Sequence, residues 1–140
     1  MKPVIVFACV ILGAWVSQEC EAANVLVVEE QNLHHLHDAC QSNPATYADH
    51  ELLHHLAENI DNPQVGAHML CESTKVGLQK ENGELDLETI KSKVALSVTD
   101  SDKVDRLVQE CAIKKKSPEK TAIHLFMCLD KNGVTYFHEF

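Results

Sequence analysis

Apolar residues recur along most of this chain at intervals of three and four, and no stretch shows the strict alternation of a half-buried strand. Leu26, Leu33, Leu36 and Cys40 mark a first helix over residues 25–40. Thr46, with Asp49 three residues on, resembles a capping box and opens a second helix running to about Ile60. Asn62-Pro63 starts a third, since asparagine accepts from the free N–H groups of a first turn and proline lacks one. That helix carries Val65, Met69, Cys71, Val76 and Leu78. Glu81-Asn82-Gly83 reads as a turn. A fourth stripe, Leu87, Ile90, Val94 and Val98, is capped by Asp86, and Thr99 or Ser101 starts a fifth with Val104, Leu107, Val108 and Cys111 inward. Ser117-Pro118-Glu119 opens a sixth, strongly apolar helix through Ile123, Leu125, Phe126, Met127, Cys128 and Leu129, stopped at Lys131-Asn132-Gly133. The tail beyond Val134 is aromatic and too short for a helix of its own. The pattern predicts an all-α domain of about six short helices.

The beginning of the chain has a different texture. Lys2 is followed by a continuous apolar run from Pro3 to Val16 and then by polar SQECEAA, where Cys20 and Ala22 form a small-x-small site. This is the layout of a secretory signal peptide. The run falls short of the ~20 apolar residues that span a bilayer, so stable membrane insertion is not expected. Cleavage is expected after Ala22, dividing the chain into a signal peptide (1–22) and one helical domain (23–140), with secretion as the destination.

Charge and cysteine count narrow the class. Loss of Lys2, Glu19 and Glu21 takes the formal charge from −9 to −8. An acidic surface argues against nucleic acid and anionic membrane as partners. The one basic cluster, Lys114-Lys115-Lys116, reads as favourable charge at a helix C-terminus. Cys40, Cys71, Cys111 and Cys128 remain, an even count that implies two disulfides with three possible pairings. Gaps of 31, 40 and 17 residues are far from the two-to-four spacing of a cysteine zinc site.

The stretch His50–His55, HELLHH, contains H-E-x-x-H. On a helical wheel Leu52, Leu53, Leu56, Ala57 and Ile60 form the apolar face, and His50, His54 and Glu51 fall on the polar one. A zinc hydrolase needs a third ligand, an open water position and a cleft. The extended motif would need glycine at 57 and histidine at 60, where Ala57 and Ile60 stand. The match reads as accidental, and no enzyme activity is expected. His34, His35 and His37 read as a solvated helix face, with pH sensing as the sharper alternative. Loose transition-metal binding by His34, His37, His50 or His54 is a second one. No metal site or cofactor is assigned.

The cysteine spacing and the Asn-Gly turn resemble the insect odorant-binding protein family, PBP/GOBP. That family usually has six cysteines. Cys40 matches the first, Cys71 the third, Cys111 the fourth and Cys128 the sixth, while Ala67 and Glu119 stand where the second and fifth belong. Those two pair with each other in the family, so their joint loss resembles the four-cysteine "C-minus" branch. VGLQKENGELDLETI after Cys71, KTAIHLFMCL around Cys128 and the near-terminal Tyr136-Phe137 extend the likeness over the whole chain past the signal peptide.

The resemblance implies bridges Cys40–Cys71 and Cys111–Cys128, with the helices closed around an apolar cavity. It implies a secreted carrier of odorants, pheromones or lipids, with a membrane receptor as a further candidate partner and a monomer or weak homodimer as the assembly. The cavity wall is expected at Leu33, Leu36, Met69, Val76, Leu87, Ile90, Val94, Val104, Leu107, Val108, Leu125, Phe126, Leu129, Tyr136 and Phe137. The competing readings are a histidine-rich extracellular metal-binding protein and, last, an H-E-x-x-H zinc hydrolase.

Overall fold

The computed structural model describes residues 17–134, with side chains from residue 24 onward. The apolar run at the start and the tail residues Tyr136 and Phe137 lie outside the described residues. Among the described residues six α-helices follow one another: α1 (Ser17–Gln41), α2 (His50–His54), α3 (Pro63–Val76), α4 (Leu87–Val94), α5 (Ser101–Cys111) and α6 (Pro118–Lys131). The fold is all-α, as the apolar spacing predicts. None of the described helices is long and apolar enough to cross a membrane.

Helix starts follow the side chains that satisfy first-turn N–H groups. Asn62 Oδ1 accepts from Gln64 N at 2.9 Å with Pro63 behind it, and Asp86 accepts from Thr89 N at 2.9 Å. Hydrogen bonds from the Thr89 backbone and side chain hold the Asp86 carboxyl below its usual value. Ser117 accepts from Lys120 N, and its hydroxyl in turn lowers the pKa of Glu119. α5 starts at Ser101, one of its two expected starts, and Asp100 caps it.

The boundaries of α1 and α2 depart from the sequence expectation. α1 begins at Ser17, upstream of the expected start at Val25, and passes through the expected cleavage point as continuous helix. α2 is capped by Asp49 instead of Thr46, whose hydroxyl donates to the Cys40 carbonyl at 2.8 Å. It also ends at His54 and does not reach Ile60. Asn59 supplies the reason: its side-chain amide donates to the carbonyls of Leu52 and His55, replacing bonds that a continued helix would make. The apolar arc therefore breaks up. Leu53 is buried, while Ala57 and Ile60 are exposed.

α3 and α6 form the central pair; α1 packs on α3, α5 on α6, and α4 on α5. α3 is closed by Gly77, in the left-handed region at φ 85°, with Leu78 N bonded back to Ser73 O at 2.9 Å. The turn after it closes on an isolated antiparallel bridge between Gln79 and Leu85. Gly83 at its tip combines φ 83° with a close approach: a Cβ there would lie 3.1 Å from Pro118 Cα. Gln79 Nε2 donates to the Pro118 carbonyl at 3.0 Å, tying this turn to the start of α6.

Among the described residues, two disulfides close the frame, Cys40–Cys71 with Cα atoms 6.0 Å apart and Cys111–Cys128 with Cα atoms 5.4 Å apart. The first joins α1 to α3 and the second α5 to α6. These are the pairs that the family resemblance implies.

Candidate functional site

Most residues expected at a ligand wall converge. Leu33, Met69, Ile90, Val94, Val104, Leu107, Val108, Leu125, Phe126 and Leu129 belong to one buried apolar cluster, and Val76 packs against it from the end of α3. Leu36 is half-buried outside that cluster. Leu87 departs from the expectation. It opens α4 and is 52% exposed, because the apolar stripe of that helix is covered only from its next turn, at Ile90 and Val94.

Beside this cluster lies an open groove of about 910 Å³ between the turn at Ile60 and Asp61, the segment Lys114–Ser117 and the outer side of α6. Ile60, Ile123 and Met127 are its apolar lining. Ile123 belongs to the core cluster and Met127 packs on it, so groove and core are continuous. Lys114, Lys115, Lys116 and Lys120 supply the positive groups. Lys120 is held in place by Asp61 and the Ile60 carbonyl. The lysine run does not sit on a helix end as the sequence suggests. α5 stops at Cys111 with no basic residue in its last turn, and the lysines extend beyond it along the groove.

His124 completes the groove. Burial pushes its imidazole below the ordinary histidine value, and the charge of Lys115 adds to the shift. Its Nε2 is buried with no hydrogen-bond partner among the described residues. None of the predicted wall residues among those described lines this groove. Ile123 and Met127 were visible only as part of a helical stripe, and nothing in the sequence distinguishes its outer edge from its buried centre.

The histidines divide. His34, His50, His54 and His55 are exposed, and so is Glu51. The H-E-x-x-H match therefore lies on a single turn whose histidines and glutamate face solvent. His37 instead turns inward, where its Nδ1 stands 2.6 Å from Glu72 Oε1. His68 Nε2 approaches the same oxygen at 2.9 Å. His68 and Glu72 are 0% and 1% exposed, and sequence reasoning missed both. The available signal was their spacing of one helical turn on α3, directly beside Cys71.

Helix order, bridge pairing and the turn after α3 together invite comparison with known proteins. Residues 22–132 match the PBP/GOBP family. The chain belongs to that family. It is a family of non-enzymatic binding proteins, the insect odorant-binding proteins. Among curated relatives, the B2 protein and the B1 protein of Tenebrio molitor are each 26% identical over 77 residues, 55% of this chain. The aligned part spans 60% of the B2 protein's length and 59% of the B1 protein's. No solved structure matches significantly. Ala67 on α3 and Glu119 on α6, the positions that the family resemblance matches to the second and fifth cysteines, line one cleft.

Proposed function

We propose that this protein is a secreted carrier of small hydrophobic ligands, and that amphiphiles with an anionic head are the class its groove suits best. The observation that carries the reading is the combination of Ile60, Ile123 and Met127 with a lysine rim and an unpartnered His124 nitrogen. In a chain of net charge −9, that is a local reversal of sign. An apolar tail would lie against the lining and continue toward the core cluster, while a carboxylate or sulfate head would meet Lys115 and His124. Burying roughly 250 Å² of ligand at ~25 cal/mol per Å² contributes about 6 kcal/mol. One partly exposed charge contact adds up to ~1 kcal/mol. Entropic costs reduce this total, so dissociation constants no tighter than the micromolar range follow.

Secretion with removal of residues 1–22, and placement in the four-cysteine branch, belong to the same proposal. Two disulfides support both, since such bridges persist in oxidising compartments. A membrane receptor as acceptor and a monomer or weak homodimer as the working assembly complete it.

Displacement of a fluorescent apolar probe tests the reading. A long-chain fatty acid is expected to compete several-fold better than its methyl ester, and Lys115→Ala with Lys120→Ala is expected to erase that difference. Absence of probe binding would overturn the carrier function. Equal competition by acid and ester would overturn the choice of ligand class.

A further inference from the structure

We propose that His37, His68 and Glu72 form a binding site for one divalent transition cation of the zinc class, at the seam between α1 and α3. Their ligand atoms converge: His37 Nδ1 to Glu72 Oε1 is 2.6 Å, His68 Nε2 to the same oxygen 2.9 Å, and the two nitrogens are 3.3 Å apart. All three lie within 4.8 Å of one another. Tetrahedral zinc with bonds of ~2.0–2.1 Å places its ligand atoms roughly 3.3 Å apart. The two nitrogens already have that separation, and the carboxylate oxygen needs to withdraw by less than ~1 Å.

Proton placement argues in the same direction. His68 Nδ1 is 2.9 Å from the Thr46 carbonyl, which can only accept, so the ring carries its proton there. In the neutral ring, Nε2 then presents a lone pair toward a carboxylate oxygen, an acceptor facing an acceptor. Protonating Nε2 as well would satisfy that contact. A cation at the centre satisfies it without that second proton, because all three atoms contribute lone pairs to the ion.

The second carboxylate oxygen is an independent observation. Glu72 Oε2 is buried with no hydrogen-bond partner among the described residues, while Oε1 is approached by two rings. Both rings converge on Oε1, the oxygen through which a one-oxygen metal ligand would act.

The surroundings are those of a built site. The Thr46 carbonyl orients His68 as an outer partner orients a metal-bound histidine. Cys40–Cys71 joins the two helices three residues from His37 and one from Glu72, fixing the spacing before any ion arrives. The set of two imidazoles and one carboxylate suits zinc or cobalt over calcium or magnesium. A remaining coordination position is left to water, and His50 is a further imidazole at hand, its ring centroid 5.4 Å from that of His37.

The test uses the purified, disulfide-intact protein after dialysis against a chelator. Zinc titration by calorimetry is expected to give one equivalent per chain, and cobalt the visible bands of a four-coordinate ion. His37→Asn, His68→Gln and Glu72→Gln should each weaken zinc at least tenfold, whereas His34→Ala and His54→Ala should leave stoichiometry and affinity unchanged. If the buried variants fail to fold, His37→Asn at its half-buried position and the imidazole 15N shift of His68 Nε2 on zinc addition still decide. Absence of saturable binding overturns the proposal. So does binding that survives His37→Asn with His68 unmoved, which would place the ion on surface histidines.

Discussion

Replacing Cys40 and Cys71 together by alanine removes the covalent tie between α1 and α3. A bridge stabilises chiefly by limiting the unfolded chain, by an amount that grows with the logarithm of the loop it closes. Separations of 31 and 17 residues correspond to about 3.7 kcal/mol for Cys40–Cys71 and about 3.1 kcal/mol for Cys111–Cys128. The two loops do not overlap in sequence, so the contributions add. Against a typical total of ~5–15 kcal/mol, losing the first is a large fraction. The folded state adds a local asymmetry. α5 and α6 are each packed against other helices as well as each other, whereas α1 rests mainly on α3. The bond from Gln41 Nε2 to the Ala48 carbonyl and the one from Ala48 N–H to Gln41 Oε1 survive the substitution, but they hold only the end of α1. Urea unfolding at neutral pH is expected to show a loss of about 3–4 kcal/mol. A fall in Tm of roughly 15 °C accompanies it. Hydrogen exchange should accelerate first between Leu33 and Gln41. A loss below ~1 kcal/mol, or a Cys111→Ala/Cys128→Ala protein far less stable than the Cys40→Ala/Cys71→Ala one, would refute the chain-entropy account.

Leu125→Ala, at a site with 0% exposure, should cost about 3–5 kcal/mol in chemical denaturation. Leu87→Ala, 52% exposed, should stay within ~0.5 kcal/mol, and comparable losses would show that the buried face is misassigned. His124 titrates below its ordinary value when folded, so the unfolded chain takes up its proton first as pH falls. Its contribution is complete above the ordinary histidine value near 6.5 and declines as pH drops from there toward the lower folded value. His124→Gln should therefore flatten the stability profile between pH 7.5 and 5; identical slopes would refute the shift. Ala67→Cys with Glu119→Cys is expected to form a third bridge, raise stability by up to ~4 kcal/mol, slow hydrogen exchange in α3 and narrow the range of ligands accepted. Free thiols in the oxidised protein, or an unchanged ligand range, would count against it.

Where the sequence was informative, the information was local. Asn62-Pro63, Asp86 and Ser117-Pro118 each announce a helix start because a capping side chain reaches only two or three residues along its own chain. Asp49 and Asn59 misled the reading of α2 for the same reason in reverse. Several side chains there can bond the backbone, and the sequence does not say which will. The candidate site was legible in part. Apolar periodicity picks out Ile90, Val94 and Leu125 as inward, but it also picks out Leu87, since a helical wheel does not know where the neighbouring helix ends. The lysine run was plainly visible, yet its role depends on where α5 stops and on what α6 places opposite it. Among the histidines, His34 and His37 look alike in sequence. Only His37 faces the glutamate that α3 carries.

The helical class, the caps of α3, α4 and α6 and the apolar stripes were therefore set by the chain alone, because each depends on interactions within a turn or two of backbone. The tertiary structure alone decided which apolar positions are covered, that lysines and methionine share a groove, and that His37 meets His68 and Glu72. Those outcomes come from helices distant in sequence closing on one another. Contact of that kind depends on packing angles and helix ends that no local pattern encodes.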